Sequence, residues 1–522
     1  MFAALAIVNT CQSPIDGELL ELPEDMCNGN GEAEKYGPIL TLGEANGAVR
    51  SMAYILRGPV LWRCLEMRDL IAKAEADGKP SPFPFGSVVI LAIGDPHSLG
   101  QKPLTFTRQV LAGVAHPDSL ESGLLPADIV SRCRALLSSC LGASIGAYTA
   151  SYGIELIRRH VAEYIERRDG IPSDPNHIIL SAGATECIRI VLKLFIRPGS
   201  DAAQRKVGVM TPIPQFPFYA STNTEFGLGQ VSYYLDEDDN WALNVKELER
   251  ALDQGNEQFE TRVLVVINPG NPTGQVLTRA NMEEIVRFAY RRRLFLMADE
   301  VYQENIYDPA CDFISFKRVL HDMGEPYSRM QLASFQSASK GLSGECGARG
   351  GYVEFVNVDD DVIELCRKAL TAKMCPNIFG QIALDCVVSP PSAGDPSFSL
   401  YLSERQSLLS SFARRARLAH EAFSSVDGVT CNPIQAGMFA FPRLHLPPGA
   451  IAAAACAGLS PDDFYARQLL EATGICTLPG EGFGQKEGTF HVRITILAPE
   501  KAMEDIGDRF AAFHREFLKR YA

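Results

Sequence analysis

The chain has 522 residues, a net charge of −14 and 46% apolar residues; a single hydrophobic core stops growing near roughly 250–300 residues, so at least two domains are expected. The acidic balance argues against a nucleic-acid-binding surface, and no apolar run reaches the roughly 18–20 residues of a membrane span. The fourteen cysteines include no C-x-x-C pair, so zinc ribbons and thioredoxin motifs are unsupported and reduced thiols are expected.

In chain order, residues 1–50 are polar, acidic and Gly/Asn-rich ("DMCNGNGEAEKYG") and read as an arm. An acid-rich, Arg-poor start is the opposite of a mitochondrial transit peptide, which sets the expectation at the cytoplasm. Residues 52–77 carry a helical pattern that "PSPFPFGS" breaks, and "VVILAIGDP" reads as a short buried strand ending in a turn. From about 125 to 385, strands alternate with helices. "ELIRRHVAEYIERRDG" is a helix stopped at Gly170, and "HIILSAGATECIRIVLKLFI" is a strand, a glycine turn and a helix. "KVGVMTPIP", "RVLVVINPG" and "RLFLMADEV" are short buried strands with polar tips. Continuous apolar strands separated by helices imply an α/β fold, a mostly parallel sheet covered by helices on both faces. In such sheets ligands bind beyond the carboxyl ends of the strands. A long charged amphipathic helix within 395–428 leads to an α+β segment that contains "GMFAFPRL", "ICTLPGEGFG" and "FHVRITIL".

The chemistry gathers at the strand tips. Lys340 lies in "SASKGLSGECGARGG", among small residues that let a backbone approach a ligand and let a lysine lose water, lowering its pKa toward nucleophilic use. Asp299 ends an uncharged strand, where a carboxylate wants a cationic partner, a salt bridge or a metal. No H-E-x-x-H motif supports the metal. "INPGNPTG" is a Pro/Gly turn carrying Asn271, and "SAGATE" opens a helix whose backbone N–H groups can hold an anion. No P-loop is present, and "GEGFGQKEG" lacks the dinucleotide-binding spacing.

A nucleophilic lysine, a buried acid and an anion cradle are the parts of a pyridoxal phosphate site. With the stretches "YIERRDGIPSDPN", "VINPGNPTGQV", "ADEVYQENIY", "GECGARGGYVE" and "GICTLPGEGFGQKEGT", the chain from about residue 50 onward resembles the fold-type I, class I/II pyridoxal-phosphate-dependent aminotransferases. Arg349 stands nine residues after Lys340, a spacing similar to the alanine-using branch. The resemblance implies interconversion of L-alanine and 2-oxoglutarate with pyruvate and L-glutamate by a ping-pong route. The neighbouring possibilities are a glutamate–glyoxylate or a kynurenine-type enzyme.

It also implies the roles of residues. Lys340 would be the covalent anchor of pyridoxal 5'-phosphate and the proton carrier. Asp299 would face the pyridine nitrogen, Tyr302 and Asn271 the phenolic oxygen, and Phe216 the ring. Ala184, Thr185, Ser337, Ser339 and Arg349 would hold the phosphate, joined by Tyr148 from a second copy in a homodimer whose sites lie at the interface. Arg493 would clamp the substrate α-carboxylate, with Gly94 and Asn271 beside it. The implied organisation is an acidic arm at 1–50 and a segment at 51–120 that joins the smaller domain and the dimer interface. Residues 121–390 would be the large cofactor-binding domain, and 391–522 the interdomain helix and small domain. The partners implied are amino acids and 2-oxo acids, with no nucleic acid or membrane. A non-enzymatic regulator built on this fold would need a basic helix-turn-helix extension, which the acidic arm does not resemble.

Overall fold

Eight strands form the central sheet of the computed structural model, which describes residues 40–52, 58–197 and 205–522. In chain order they are β1 (Ile178–Ser181), β2 (Val207–Ile213), β3 (Gly229–Asp236), β4 (Ala242–Leu243), β5 (Glu260–Ile267), β6 (Phe295–Asp299), β7 (Leu332–Ser337) and β8 (Gly351–Val356). Their spatial order is β1-β8-β7-β6-β5-β2-β3-β4. The run from β7 through β6, β5 and β2 to β3 is parallel. β8 is inserted antiparallel between β1 and β7, and β4 closes the far edge antiparallel to β3.

The apolar runs become sheet because both faces are covered. Side chains alternate along a strand, and β5 shows it: Val263, Val265 and Ile267 enter one core, while Leu264 and Val266 enter the other. Helices Val245–Gln258 and Arg279–Arg292 cover the second core, and Ala184–Lys193 and Asp360–Thr371 the first. A third core packs Thr105–Ala115, Ala127–Ser138, Glu155–Asp169 and Ile378–Val388 beside β1. The helix expected to stop at Gly170 does so: it spans Glu155–Asp169, and Gly170 takes a left-handed φ of 69°.

The N-terminal and C-terminal stretches fold together. Helix Pro59–Ala76 packs with Pro461–Thr473, and Val89–Ile90 pairs in parallel with Ile475–Cys476. The C-terminal strands centre on Phe490–Thr495, which pairs with Phe439–Ala440, Arg443–Leu444 and Leu478–Pro479. Helix Phe398–Ser424 runs for 27 residues and packs on the closing helix Glu500–Tyr521.

By its contacts the chain divides into Met1–Arg50 and Ser51–Ala522. The first 39 residues of the expected acidic arm lie outside the described residues. Among the described residues, no helix is long and apolar enough to cross a membrane, and no cluster of metal-ligating side chains occurs.

Candidate active site

The carboxyl ends of β1, β2, β5, β6 and β7 open on one cavity of about 320 Å³. Its wall includes Ala184, Thr185, Phe216, Asn271, Asp299, Tyr302, Ser337, Ser339, Lys340, Arg349, Gly94 and Arg493. Eleven of these twelve come from the parallel-sheet strand ends and the segments next to them or from the Leu91–Asp95 stretch; Arg493 comes from the C-terminal strand Phe490–Thr495. Tyr148 is the one site candidate the fold does not bring there: it is 67% exposed and outside the cavity.

Lys340 follows β7 after a tight turn. Its Nζ donates to the Gly94 carbonyl at 2.9 Å. Burial pushes its pKa down; Cys346 and Asp95 oppose this, and the positive charges of Arg493 and Arg349 add to it. A lysine so placed is readily deprotonated and nucleophilic.

Asp299 is the last residue of β6, and burial pushes its pKa up to about 6. Its Oδ2 accepts from the Tyr219 hydroxyl at 2.9 Å, and its Oδ1 has no hydrogen-bond partner among the described residues. Nearby, Asn271 Oδ1 is also buried without a partner. Burial, then the Asp299 charge, hold the Tyr302 hydroxyl well above its ordinary pKa.

The anion cradle lies where β1 meets helix Ala184–Lys193. The helix N-cap is Gly183, which offers no side-chain acceptor, so the first backbone N–H groups and the helix dipole face outward. Arg349 lies across this end with a left-handed φ of 60°, uncommon for a residue with a side chain. Its guanidinium donates to Ala182 O, Thr185 Oγ1, Cys346 O and Ser339 Oγ at 3.0–3.3 Å. Gly183 has a φ of 88°, and a Cβ there would sit 2.5 Å from Arg349 Nη2. Only glycine meets both demands. Ser337 Oγ accepts from the Ser339 N–H at 3.0 Å, which joins the two serines in one turn.

Arg493 is 2% exposed. Nη2 donates to Ala92 O at 2.8 Å, Nε has no partner, and no carboxylate pairs with it among the described residues. Burial lowers its pKa to about 9. A buried cation without an anion costs free energy unless a ligand supplies the anion. The arrangement can therefore hold a planar carboxylate, through the guanidinium fork, beside a nucleophilic lysine.

Tyr219, Cys346, Phe439 and Asp95 also belong to this site and were not singled out from the sequence. Tyr219 sits three residues after Phe216 on helix Phe218–Phe226, and nothing local marks it as reaching β6. Phe439 leaves no room for a Cβ on Gly94, at 2.4 Å from its ring; "GMFAFP" reads locally as plain core.

Residues 120–509 match the family Aminotransferase class I and II. Alanine aminotransferase 1 of Homo sapiens is 48% identical over 486 residues, covering 93% of this chain and 96% of that protein. Probable alanine aminotransferase, mitochondrial, of Dictyostelium discoideum is 43% identical, covering 94% and 92%. Among solved structures, an alanine aminotransferase from Pyrococcus furiosus aligns with a TM-score of 0.67 at 19% identity, covering 90% of this chain and all of that one, a likeness of fold. The chain belongs to the class I and II aminotransferases, which are pyridoxal-phosphate-dependent.

Proposed function

We propose that the protein moves an amino group between L-alanine and 2-oxoglutarate, giving pyruvate and L-glutamate, in a ping-pong cycle on pyridoxal phosphate. The observation that carries this is one cavity holding Lys340, Asp299 with an open carboxylate oxygen, and Arg493 with no anionic partner among the described residues. The alanine aminotransferases it resembles at 43–48% identity over nearly their full length support the choice of substrate.

The residues present fit the cofactor. The orphaned oxygens of Asp299 and Asn271 want a ring N–H and a polar partner, and the cradle around Gly183 and Arg349 wants an anion. Bound pyridoxal phosphate supplies a carbonyl carbon that takes up the amino group and a ring that accepts the electron pair left when the α-proton departs. Asp299 would hold a proton on the pyridine nitrogen, a cation that in turn favours the ionised carboxylate. Asn271 and Tyr302 would bind the phenolic oxygen, and Phe216 would cover the ring. Ala184, Thr185, Ser337, Ser339 and Arg349 would receive the phosphate. Lys340 Nζ would anchor the cofactor covalently, then, once displaced by the substrate amine, carry the proton from Cα. Arg493 would orient the substrate by its α-carboxylate, with Gly94 and Asn271 against it. The small apolar wall of Ile93 and Phe439 suits a methyl side chain.

Tyr148 gains a role only from outside its own cavity. We read it as reaching the phosphate of a second copy, so that the enzyme is a homodimer with sites at the interface. We also place the protein in the cytoplasm, a reducing compartment with which the free thiols of the twelve described cysteines agree; recovery of the tagged protein in a membrane-enclosed organelle would overturn that.

A half-reaction panel tests the substrate assignment. The cofactor-loaded protein is mixed with alanine, aspartate, kynurenine or glycine, and the bleaching of its visible band is timed. Alanine is expected to react fastest; a clear preference for aspartate or kynurenine would overturn the assignment.

A further inference from the structure

The loop "GEGFGQ" carries no chemistry by its sequence and takes no part in the cofactor cradle, yet it touches the substrate end of the site. Its turn, Gly480–Phe483, leaves strand Leu478–Pro479, which pairs with the strand bearing Arg493. The Phe483 ring lies 4.6 Å from the Arg493 guanidinium carbon, and the Phe439 ring lies 4.1 Å from the same carbon. Phe483 itself is 3% exposed.

The loop is fastened at several points. The buried carboxylate of Asp462 accepts from the Glu481 N–H at 2.6 Å and from Gln485 Nε2 at 3.3 Å. Gln485 Oε1 pairs with His491 Nδ1 at 2.9 Å. His491 lies two residues before Arg493, on the same face of that strand, and stacks on Phe441 with centroids 4.6 Å apart. On the other side, the Phe483 carbonyl accepts from the Gln215 N–H at 2.8 Å, next to Phe216 in the cavity wall. The loop therefore ties the carboxylate-binding strand to the strand end at β2.

From this we infer that Phe483, held by Asp462 and Gln485, is a positioning residue that preorganises Arg493 for the substrate carboxylate. The inference rests on the reading of Arg493 as the carboxylate clamp. Aromatic rings close to the guanidinium stabilise its charge while no carboxylate is bound. The ring also restricts the guanidinium, whose Nη2 is already held by Ala92 O. The in-plane edge with its unpartnered Nε remains for an incoming carboxylate. A fork held in place before binding loses less freedom on binding.

The test measures binding apart from turnover. 2-Methylalanine has the α-carboxylate and amine of the substrate but no α-hydrogen, so it binds without completing the reaction. Its affinity for the cofactor-loaded enzyme is measured calorimetrically for wild type, Phe483→Leu, Phe483→Tyr, Gln485→Leu and Arg493→Lys. Phe483→Leu is expected to weaken binding about tenfold and to raise KM for alanine to match, with kcat changed less than about threefold, the pattern of a lost uniform binding contribution. Phe483→Tyr, which keeps the ring, is expected to recover most of the loss. A Phe483→Leu enzyme with native circular dichroism, full cofactor content and wild-type affinity overturns the inference. If that variant does not fold, Gln485→Leu decides: about threefold weaker binding supports the inference, and unchanged binding overturns it. Wild-type affinity in Arg493→Lys overturns the underlying reading of the clamp, whatever Phe483 does. A loss in Arg493→Lys with none in Phe483→Leu overturns the positioning role alone.

Discussion

Tyr219 donates its hydroxyl to Asp299 Oδ2 at 2.9 Å, and Oδ1 of the same carboxylate is left without a partner among the described residues. One oxygen is spent on fixing the side chain so that the other is presented to the cavity. Hydrogen bonds to a charged group contribute about 1.5–3 kcal/mol. Tyr219→Phe keeps the buried ring and removes only this bond, so it is expected to weaken cofactor affinity by about tenfold or more. Fluorescence titration of the cofactor-free protein with pyridoxal phosphate measures this. Equal affinities in variant and wild type would show that Asp299 needs no such support.

The same carboxylate makes the cofactor-free protein sensitive to pH in an unusual direction. Burial raises the pKa of Asp299 from 3.8 to about 6 and that of its neighbour Glu300 from 4.5 to about 7. Between those values the folded chain holds protons that the unfolded chain has released. Stability contributed by these groups is therefore present below about pH 4 and is lost as pH rises toward 7. At about 1.4 kcal/mol per pKa unit, Asp299 accounts for up to about 3 kcal/mol of that loss. Comparing Tm at pH 4.5 and 7.5, cofactor-free Asp299→Asn should fall less than wild type over the interval. Parallel curves would refute the raised pKa. A bound pyridinium beside Oδ1 should shrink the difference, because it favours the ionised form.

Much of this site was readable from the chain because a parallel sheet buried on both faces leaves a plain record. β5 and β6 read as the apolar runs of "RVLVVINPG" and "RLFLMADEV", whose polar tips, Asn268–Asn271 and Asp299, mark the carboxyl edge; β7 holds Ser334 and Gln336, and only the small-residue turn "SASK" at its end gave away Lys340. Resemblance to a family supplied roles that no spacing carries, such as Arg493 and Tyr148. Contacts made across long separations left no local trace. Phe483 is an apolar residue in a glycine loop until the fold lays it on Arg493. Tyr219 is one aromatic among several in "FPFY" until a short helix turns it toward β6. The pairing of Val89–Ile90 with Ile475–Cys476 likewise depends on two distant segments meeting.

Gly183 is a sharper probe of the anion cradle than any of its polar residues. An alanine there would meet both an unfavourable φ of 88° and the Arg349 guanidinium 2.5 Å away. Backbone strain of this kind costs on the order of 1–3 kcal/mol, and Arg349 would also have to move. Gly183→Ala is expected to lower Tm and, at temperatures where it remains folded, to release cofactor at least about tenfold faster on dilution. Cofactor retention equal to wild type would place the phosphate elsewhere.

Lys340→Ala removes both the covalent anchor and the proton carrier. Turnover is expected to fall by at least about a thousandfold, with the visible band of the bound cofactor shifted to that of the free aldehyde. The fold should survive, because the side chain lines the cavity and gives up a hydrogen bond to the Gly94 carbonyl. Transamination at a wild-type rate would remove Lys340 from the chemistry.

The exposure of Tyr148, at 67%, separates the dimer proposal from a single-chain enzyme. If Tyr148 serves the phosphate of a second copy, Tyr148→Ala and Lys340→Ala damage different halves of each site. A hybrid of the two variants then has one site with both residues intact and one with neither. Random pairing makes half of all dimers hybrids, so a mixture exchanged to equilibrium should recover about a quarter of wild-type activity. The assay is run at limiting cofactor, where the Tyr148→Ala parent, lacking one charge-assisted phosphate contact, is expected to be poorly loaded. Activity equal to the mean of the two parents, in a mixture shown by mass spectrometry to contain hybrids, would mean that Tyr148 does not act across the interface.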